Sequence, residues 1–142
     1  MQEHDSYEIV SVQADDPEMR AAIDEARRTM DSFIQAFLNP RTNQKSFLLK
    51  VVFDDPEGVE HIWLADLDLA TTPPTGIVAN EPRIPHLEFM SRVAFSISNV
   101  TDWMYLEDDF LVGGFTTRLL QAREKQAQKK GLKRFLPWRR ST

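Results

Sequence analysis

One broad apolar stripe near the N-terminus most limits what this chain can fold into. Apolar side chains recur at steps of three and four residues over 19–37, which is the spacing of one helix face. Either Asp16 or a capping box of Asp15 and Glu18 can start that helix, and Pro40 stops it. Because so wide a stripe must be buried, a second layer of secondary structure is required.

Alternating segments downstream predict a sheet as that second layer. Residues 47–53 and 59–68 alternate in the manner of strands, and the DDPEG turn between them predicts a hairpin. Thr116 or Thr117 is predicted to cap a last helix that runs to about Gly131. The remaining strands are predicted at residues 7–12, 76–80, 92–98, 103–105 and 110–112.

These elements together predict an α+β fold. A long N-terminal amphipathic helix is expected to pack on a bent, mainly antiparallel sheet of five or six strands, followed by a C-terminal helix. The chain of 142 residues has the length of one ordinary globular domain. We therefore expect a single domain over residues 1–130 and a separate basic, aromatic tail over 131–142.

The composition excludes several classes of function. The chain has no cysteine, so disulfide frameworks, thiolate metal sites and cysteine nucleophiles are ruled out, and a reducing cytoplasm is the expected location. The opening MQEHDSYEIV lacks the cationic and apolar regions of a secretory signal, and no apolar run is long enough to span a bilayer.

Charge is divided unevenly along the chain. From Arg118 to the C-terminus there are nine basic residues and one acidic residue, a charge of +8, which leaves −13 for residues 1–117 of the net −5. A tail of this kind can contact an acidic protein surface, an anionic membrane or nucleic acid, and the acidic body favours them in that order. No nucleic acid partner is expected. The tail residues expected to make such contacts are Lys133, Arg134, Trp138, Arg139 and Arg140.

Residues 98–118 combine aromatic residues, an acidic turn, two glycines and a helix start. Gly113 and Gly114 are predicted to form a tight corner between the last strand and the last helix, under the ring of Trp103. The alternative is an anion cradle made by these glycines with the hydroxyls and cation of residues 116–118. Binding contacts are expected from Asp102, Trp103, Tyr105, Glu107, Asp108, Asp109 and Arg118, with the two aromatic rings exposed at the surface.

Two histidines have carboxylates nearby in the sequence. A histidine paired with a carboxylate can act in general acid–base catalysis. The weak candidates for such a role are Glu60, His61, His86, Glu88 and Asp102. In a strand, however, Glu60 and His61 point to opposite faces. We therefore expect His61 to pack against a partner strand and to hold a backbone carbonyl.

No metal or other cofactor is expected. The His86-Leu87-Glu88 sequence matches half of the zinc deaminase signature, but the half that supplies two cysteines is absent. His4, His61 and His86 could in principle form a three-histidine site, yet their spacing has no helical logic.

Four short motifs give the chain a resemblance to a known family. These are Glu60–Trp63 (EHIW), Asn80–Pro82 (NEP), Asp102–Tyr105 (DWMY) and Gly113–Thr116 (GGFT). In this order they resemble the bacterial YegJ-like family, also described as domain of unknown function 2314. The likeness runs over residues 22–123. It implies a small α+β domain of bacterial origin and supplies no catalytic or binding residue.

The function expected from the sequence is that of a non-catalytic, cytoplasmic protein-binding module. An accessory or immunity-type partner of a bacterial toxin or secreted effector is its most concrete form. The first alternative is a small hydrolase or transferase that uses a His/carboxylate pair. The second alternative is association of the tail with an anionic membrane.

Overall fold

A computed structural model describes residues 16–56 and 58–130, so the predicted strand at 7–12 and the tail at 131–142 lie outside the described residues. Within the described residues, no helix combines the length and the apolar character that a membrane span requires. The helices are α1 (Pro17–Arg28), α2 (Met30–Leu38) and α3 (Phe115–Lys129). The strands are β1 (Gln44–Asp55), β2 (Gly58–Asp68), β3 (Thr75–Val78), β4 (Arg92–Ala94), β5 (Val100–Glu107) and β6 (Phe110–Gly113).

The six strands form one antiparallel sheet in the order β4-β3-β2-β1-β5-β6. β1 is a central strand that pairs with β2 through Val51 and Ile62 and with β5 through Leu49 and Trp103. Register shifts interrupt β1 and β2, and such bulges bend the strands that carry them. The α+β class and the β1–β2 hairpin predicted from the sequence are confirmed.

The core lies between the helices and one face of this sheet. Phe33 of α2 is fully buried, and its ring centroid lies 5.6 Å from that of Trp103 and 5.8 Å from that of Phe47. Leu49 and Ile62 on the two central strands are also fully buried. Burying each such aliphatic or aromatic side chain contributes about 1.5–3 kcal/mol, so this face supplies most of the drive for folding.

The long helix predicted from the apolar stripe is two consecutive helices, interrupted at Thr29. The indole N–H of Trp103 donates to the carbonyl of Ala26 (3.0 Å) and to the hydroxyl of Thr29 (3.2 Å). The Thr29 hydroxyl in turn donates to the carbonyl of Glu25 (2.7 Å). Side chains that compete for main-chain carbonyls interrupt the helical ladder, which explains the break.

Both ends of the helical segment follow the sequence prediction. Asp16 is the N-cap, its Oδ1 accepts the backbone N–H of Met19 (3.1 Å), and Pro17 occupies the first turn. Asn39 caps the C-terminal end of α2. The chain then reverses and enters β1.

The strand predicted over 92–98 is shorter than expected. β4 ends at Ala94, and a single 3-10 turn (Ile97–Asn99) leads into β5. The hydroxyl of Ser96 accepts the backbone N–H of Ser98 (3.3 Å) and so caps that turn. Arg27 of α1 holds the same segment by donating to the carbonyls of Ser98 (2.7 Å) and Val100 (3.1 Å).

Candidate functional site

The carboxylate of Asp102 is fully buried where β5 meets the start of α3. Its Oδ1 accepts the backbone N–H groups of Trp103 (2.8 Å) and Phe115 (3.1 Å). Its Oδ2 accepts the backbone N–H (2.8 Å) and the hydroxyl (2.5 Å) of Thr116. Asp102 therefore caps α3 from another element of the fold, whereas Gly114, the residue at the N-cap position, makes no side-chain cap.

This geometry corrects two expectations and excludes one alternative. Thr116 and Thr117 are not the caps of the last helix, because the cap is supplied by Asp102. Asp102 is not an exposed binding residue, since it is fully buried. The anion cradle at residues 113–118 is also wrong, because an internal carboxylate already occupies the helix N-terminus.

The corner predicted at the two glycines is confirmed. Gly113 has φ of +82°, and a Cβ added there would lie 2.6 Å from two ring carbons of Trp103 and clash with its carbonyl oxygen. Gly114 has φ of +66°. Only glycine fits a position that combines a left-handed backbone with such close approach to a ring.

The two aromatic residues expected at the surface are buried instead. Trp103 is 3% exposed and Tyr105 is 8% exposed. Their rings stack on each other at 5.9 Å and pack against Phe33. The predicted exposure of Trp103 and Tyr105 is therefore wrong, because the apolar stripe of the helices covers them.

Lys50 of β1 is the cation nearest the Asp102 cap. Its Nζ donates to the hydroxyl of Thr116 (2.9 Å) and lies 5.5 Å from the ring centroid of Trp63. Burial lowers the pKa of the Lys50 ammonium, and the Asp102 carboxylate opposes that shift. Lys50 was not predicted as a site residue from the sequence. Its signal is a single cation inside the apolar strand segment FLLKVVF.

His61 of β2 is neutral at physiological pH. Its Nδ1 lies 3.2 Å from the hydroxyl of Thr101. Burial, together with the nearby positive charge of Lys50, lowers the pKa of His61 to about 4. The partner of His61 is thus a side-chain hydroxyl and not the backbone carbonyl that the sequence suggested.

Glu60 and His61 occupy alternate positions of β2, as predicted, but both residues line the cleft described below. Glu60 is 9% exposed, and its Oε1 accepts the backbone N–H groups of Arg83 (2.8 Å) and Ile84 (3.0 Å). The Glu60 carboxylate therefore anchors the loop after β3. In the part of the chain that the structure describes, neither His61 nor His86 is hydrogen-bonded to a carboxylate.

His86 and Glu88 lie on the surface. Within the described residues, neither of them is hydrogen-bonded to His61. Over residues 16–56 and 58–130, no group of three His, Asp or Glu side chains is placed to hold a metal ion. His4, the third histidine, lies outside those ranges.

A cleft of about 450 Å³ joins several of these groups. It lies among α1, α3, β1, β2 and the loop that carries Arg83. Its polar lining comes from both helices, both strands and that loop, and its aliphatic wall is formed by Met19, Ile23 and Leu120. The polar residues that line it are Asp16, Lys50, Glu60, His61, Arg83, Thr116 and Arg123.

The ionic groups of the cleft differ in how they are neutralised. Arg123 donates to both oxygens of Asp16 (2.8 and 2.7 Å), and this contact lowers the pKa of Asp16 to about 2. Arg83 forms a longer ion pair with Glu60 (3.5 Å). In contrast, Lys50 forms no salt bridge within the described residues, and its link to Asp102 passes through Thr116.

The acidic turn between β5 and β6 is a second surface of interest. Asn43 and Lys45 hold the carboxylates of Asp108 (3.1 Å) and Asp109 (3.2 Å), respectively. Phe110 follows them and is 76% exposed. From the sequence, Phe110 was predicted only as a strand residue, and its one signal is its position directly after the acidic turn.

Two further predicted binding residues flank this turn. Glu107 accepts a hydrogen bond from the side-chain amide of Gln44 (2.9 Å). Arg118 is exposed and donates to the carbonyl of Leu111 on the edge strand β6 (2.8 Å). The predicted tail contacts, Lys133, Arg134, Trp138, Arg139 and Arg140, lie outside the described residues.

Comparison with known proteins shows sequence relatives of this chain in bacteria. A family model described as an uncharacterised protein conserved in bacteria (DUF2314) matches residues 16–135. The uncharacterised protein YegJ of Escherichia coli is 29% identical over 99 residues, which cover 69% of this chain and 63% of that protein.

A putative ankyrin repeat protein of Neisseria meningitidis is 28% identical over 126 residues, which cover 82% of this chain. The chain spans about half the length of this relative, 49%, and somewhat under two thirds of the other. No solved structure matches the chain.

Proposed function

The chain belongs to the DUF2314 family of proteins conserved in bacteria, and within it we propose that this member is a non-catalytic, cytoplasmic protein-binding module. Its partner carries a basic surface. The observation that carries the proposal is the 76% exposure of Phe110 beside the acidic turn of the β5–β6 hairpin.

The turn has the composition of an interface centre. Aromatic side chains are the residues that most often dominate binding energy, and polar residues usually surround them. Phe110 supplies the aromatic group, while Asp108 and Asp109 supply the surrounding charge. Because both carboxylates are already held by Asn43 and Lys45, little side-chain freedom would be lost on binding.

Charge complementarity identifies the class of partner. Residues 1–117 carry a formal charge of −13, so the potential around the acidic turn attracts basic surfaces and repels acidic ones. Nucleic acid and anionic membranes are disfavoured by the same potential. A bacterial toxin or secreted effector with a basic surface is the most specific form of this proposal.

The two alternatives draw less support. A hydrolase or transferase that uses a His/carboxylate pair requires such a pair, and His61 is hydrogen-bonded to the hydroxyl of Thr101 instead. Membrane association rests on residues 131–142, outside the described part of the chain. It predicts salt-sensitive liposome binding that is lost when these residues are deleted.

Site-specific photo-crosslinking in the bacterial host tests the proposal. A photoreactive phenylalanine analogue at position 110 should give a discrete adduct with one protein whose contact surface is basic. Met90 is the matched control position, because it is apolar and 64% exposed but lies away from the acidic turn. The adduct should disappear when Asp108 and Asp109 are both replaced by lysine.

Two outcomes would contradict the proposal. The first is that position 110 gives no adduct above that from position 90. The second is that the adduct survives the double charge reversal, because the acidic turn would then play no part in recognition.

A further inference from the structure

The cleft between α1 and α3 contains a cation whose hydrogen-bonding groups the described residues do not fully satisfy. The ammonium of Lys50 has three N–H groups. In the described residues it donates one hydrogen bond, to Thr116, and its other close neighbour is the face of Trp63. A half-buried ammonium with spare donors at the wall of a cleft is suited to an anionic ligand.

The nearest carboxylate is not available to neutralise Lys50 directly. Asp102 already accepts four hydrogen bonds, from three backbone N–H groups and the hydroxyl of Thr116. That hydroxyl donates to Asp102 and accepts from Lys50. It therefore fixes the position of the ammonium without bringing the two charges into contact.

The other charges of the cleft are paired with one another. Arg123 is matched by Asp16 and Glu18, and Arg83 is matched by Glu60. Of the charged residues that line the cleft, Asp16 and Glu60 balance Arg83 and Arg123, whereas Glu18 is not part of the lining. Lys50 thus gives the cleft a local positive charge in a body whose residues 1–117 carry −13.

We propose that this cleft binds a small organic anion, whose carboxylate or phosphate group pairs with the ammonium of Lys50 and whose apolar part packs on the aliphatic wall. The volume of about 450 Å³ lies within the usual range for small-molecule sites. Neutral His61 and the Thr116 hydroxyl provide further polar groups beside the anion. This site is separate from the acidic turn and goes beyond the proposed function.

Three small aromatic probes of similar shape test this site and show whether it prefers a carboxylate or a phosphate. The full-length chain is titrated with benzoate, phenyl phosphate and benzyl alcohol while backbone amide NMR shifts are recorded. At least one anion should shift the amide of Thr116 in a saturable way. Benzyl alcohol should bind at least about tenfold more weakly, because it lacks the charge that pairs with Lys50. The stronger of the two anions identifies the class of ligand.

Variants of two lysines on β1 link the signal to the site. Lys50→Met keeps the length of the side chain and removes the charge, and it should weaken anion binding at least about tenfold. Lys50→Arg should retain binding within a few-fold. Lys45→Met is the matched control, since Lys45 is exposed on the same strand, and it should bind as the wild type does.

The proposal is overturned by any of three results. These are saturable shifts with neither anion, equal affinity for benzyl alcohol and the anions, or unchanged affinity in a folded Lys50→Met variant. If Lys50→Met does not fold, the comparison of the three probes on the wild type and on Lys50→Arg decides the matter alone.

Discussion

The carboxylate of Asp102 holds Thr116 by two hydrogen bonds, one to its backbone N–H at 2.8 Å and one to its hydroxyl at 2.5 Å. These contacts join the start of β5 to the start of α3 and close the β5–β6 hairpin between them. The same hydroxyl positions Lys50 at the cleft. One buried carboxylate therefore organises both the corner of the fold and the wall of the candidate anion site.

Replacing Asp102 by Asn should destabilise the protein by about 3 kcal/mol. The amide group keeps the shape but turns a donor toward backbone N–H groups that need an acceptor. The measurement is the urea midpoint at an unchanged m-value. Asp108→Asn in the exposed turn of the same hairpin should change stability by less than about 0.5 kcal/mol. Equal midpoints for the two variants would show that Asp102 is not the cap described above.

Replacing Gly113 by Ala should lower the free energy of unfolding by about 3 kcal/mol or more. The new Cβ would lie 2.6 Å from ring carbons of Trp103, and the backbone at φ +82° is strained for any L-residue. Gly58→Ala is the control, because Gly58 also has a positive φ but has no atom within 4 Å of an added Cβ. The Gly58 variant should lose only the backbone strain energy, about 1–3 kcal/mol. If the Gly113 variant is as stable as the Gly58 variant, the ring of Trp103 does not pack closely on Gly113.

Replacing Trp103 by Phe should lower the free energy of unfolding by about 3 kcal/mol. The change removes the N–H donor that pairs with the carbonyl of Ala26 and leaves space in a buried site. Trp63→Phe provides a comparison on a half-buried ring of the same sheet, and its cost should be nearer to 1 kcal/mol. Chemical denaturation of both variants measures the difference. Similar losses would mean that the Trp103 N–H contributes little.

Stability should fall as pH drops from about 6.5 toward 4, through His61. The pKa of His61 is about 4 in the folded protein against 6.5 for an unperturbed histidine, so the unfolded chain binds more protons in this window. The expected loss between pH 7 and pH 4.5 is about 2 kcal/mol. Asp16 does not interfere, because its pKa is lowered from 3.8 to about 2 and its contribution is lost only at lower pH.

His61→Gln should remove this component of the pH dependence, and His86→Gln, at the surface, should keep it. Urea midpoints at the two pH values measure both. If His61→Gln loses as much stability between pH 7 and 4.5 as the wild type does, His61 is not the group responsible.

The elements that the sequence predicted correctly depend on patterns between residues close together in the chain. Asp16 and Pro17 mark the start of α1, and alternation over 47–53 and 59–68 marks the central hairpin. Gly113 was placed correctly under Trp103. Two adjacent glycines between a strand and a helix indicate a tight corner, because glycine adopts the positive φ that such a corner requires. These signals are local, so one sequence is enough to read them.

The candidate site was predicted only in part. Glu60 and His61 alternate along β2 as expected, yet both line the cleft, and Lys50 was not predicted as a site residue. A lysine in a strand usually reaches solvent. Nothing in the residues next to Lys50 indicates that the hydroxyl of Thr116 will accept a hydrogen bond from its ammonium. Trp103 was expected to be exposed as a binding residue, whereas its ring is buried against a helix far away in the chain.

The sequence by itself determined the helical stripe, the central hairpin, the tight corner and the division of charge, since each follows from the spacing of residue types. Tertiary structure decided which groups meet. Trp103 reaches Ala26 across 77 residues, and Lys50 reaches Thr116 across 66. Such contacts depend on how the sheet and helices pack, and that packing sets the burial that lowers the pKa values of Lys50 and His61.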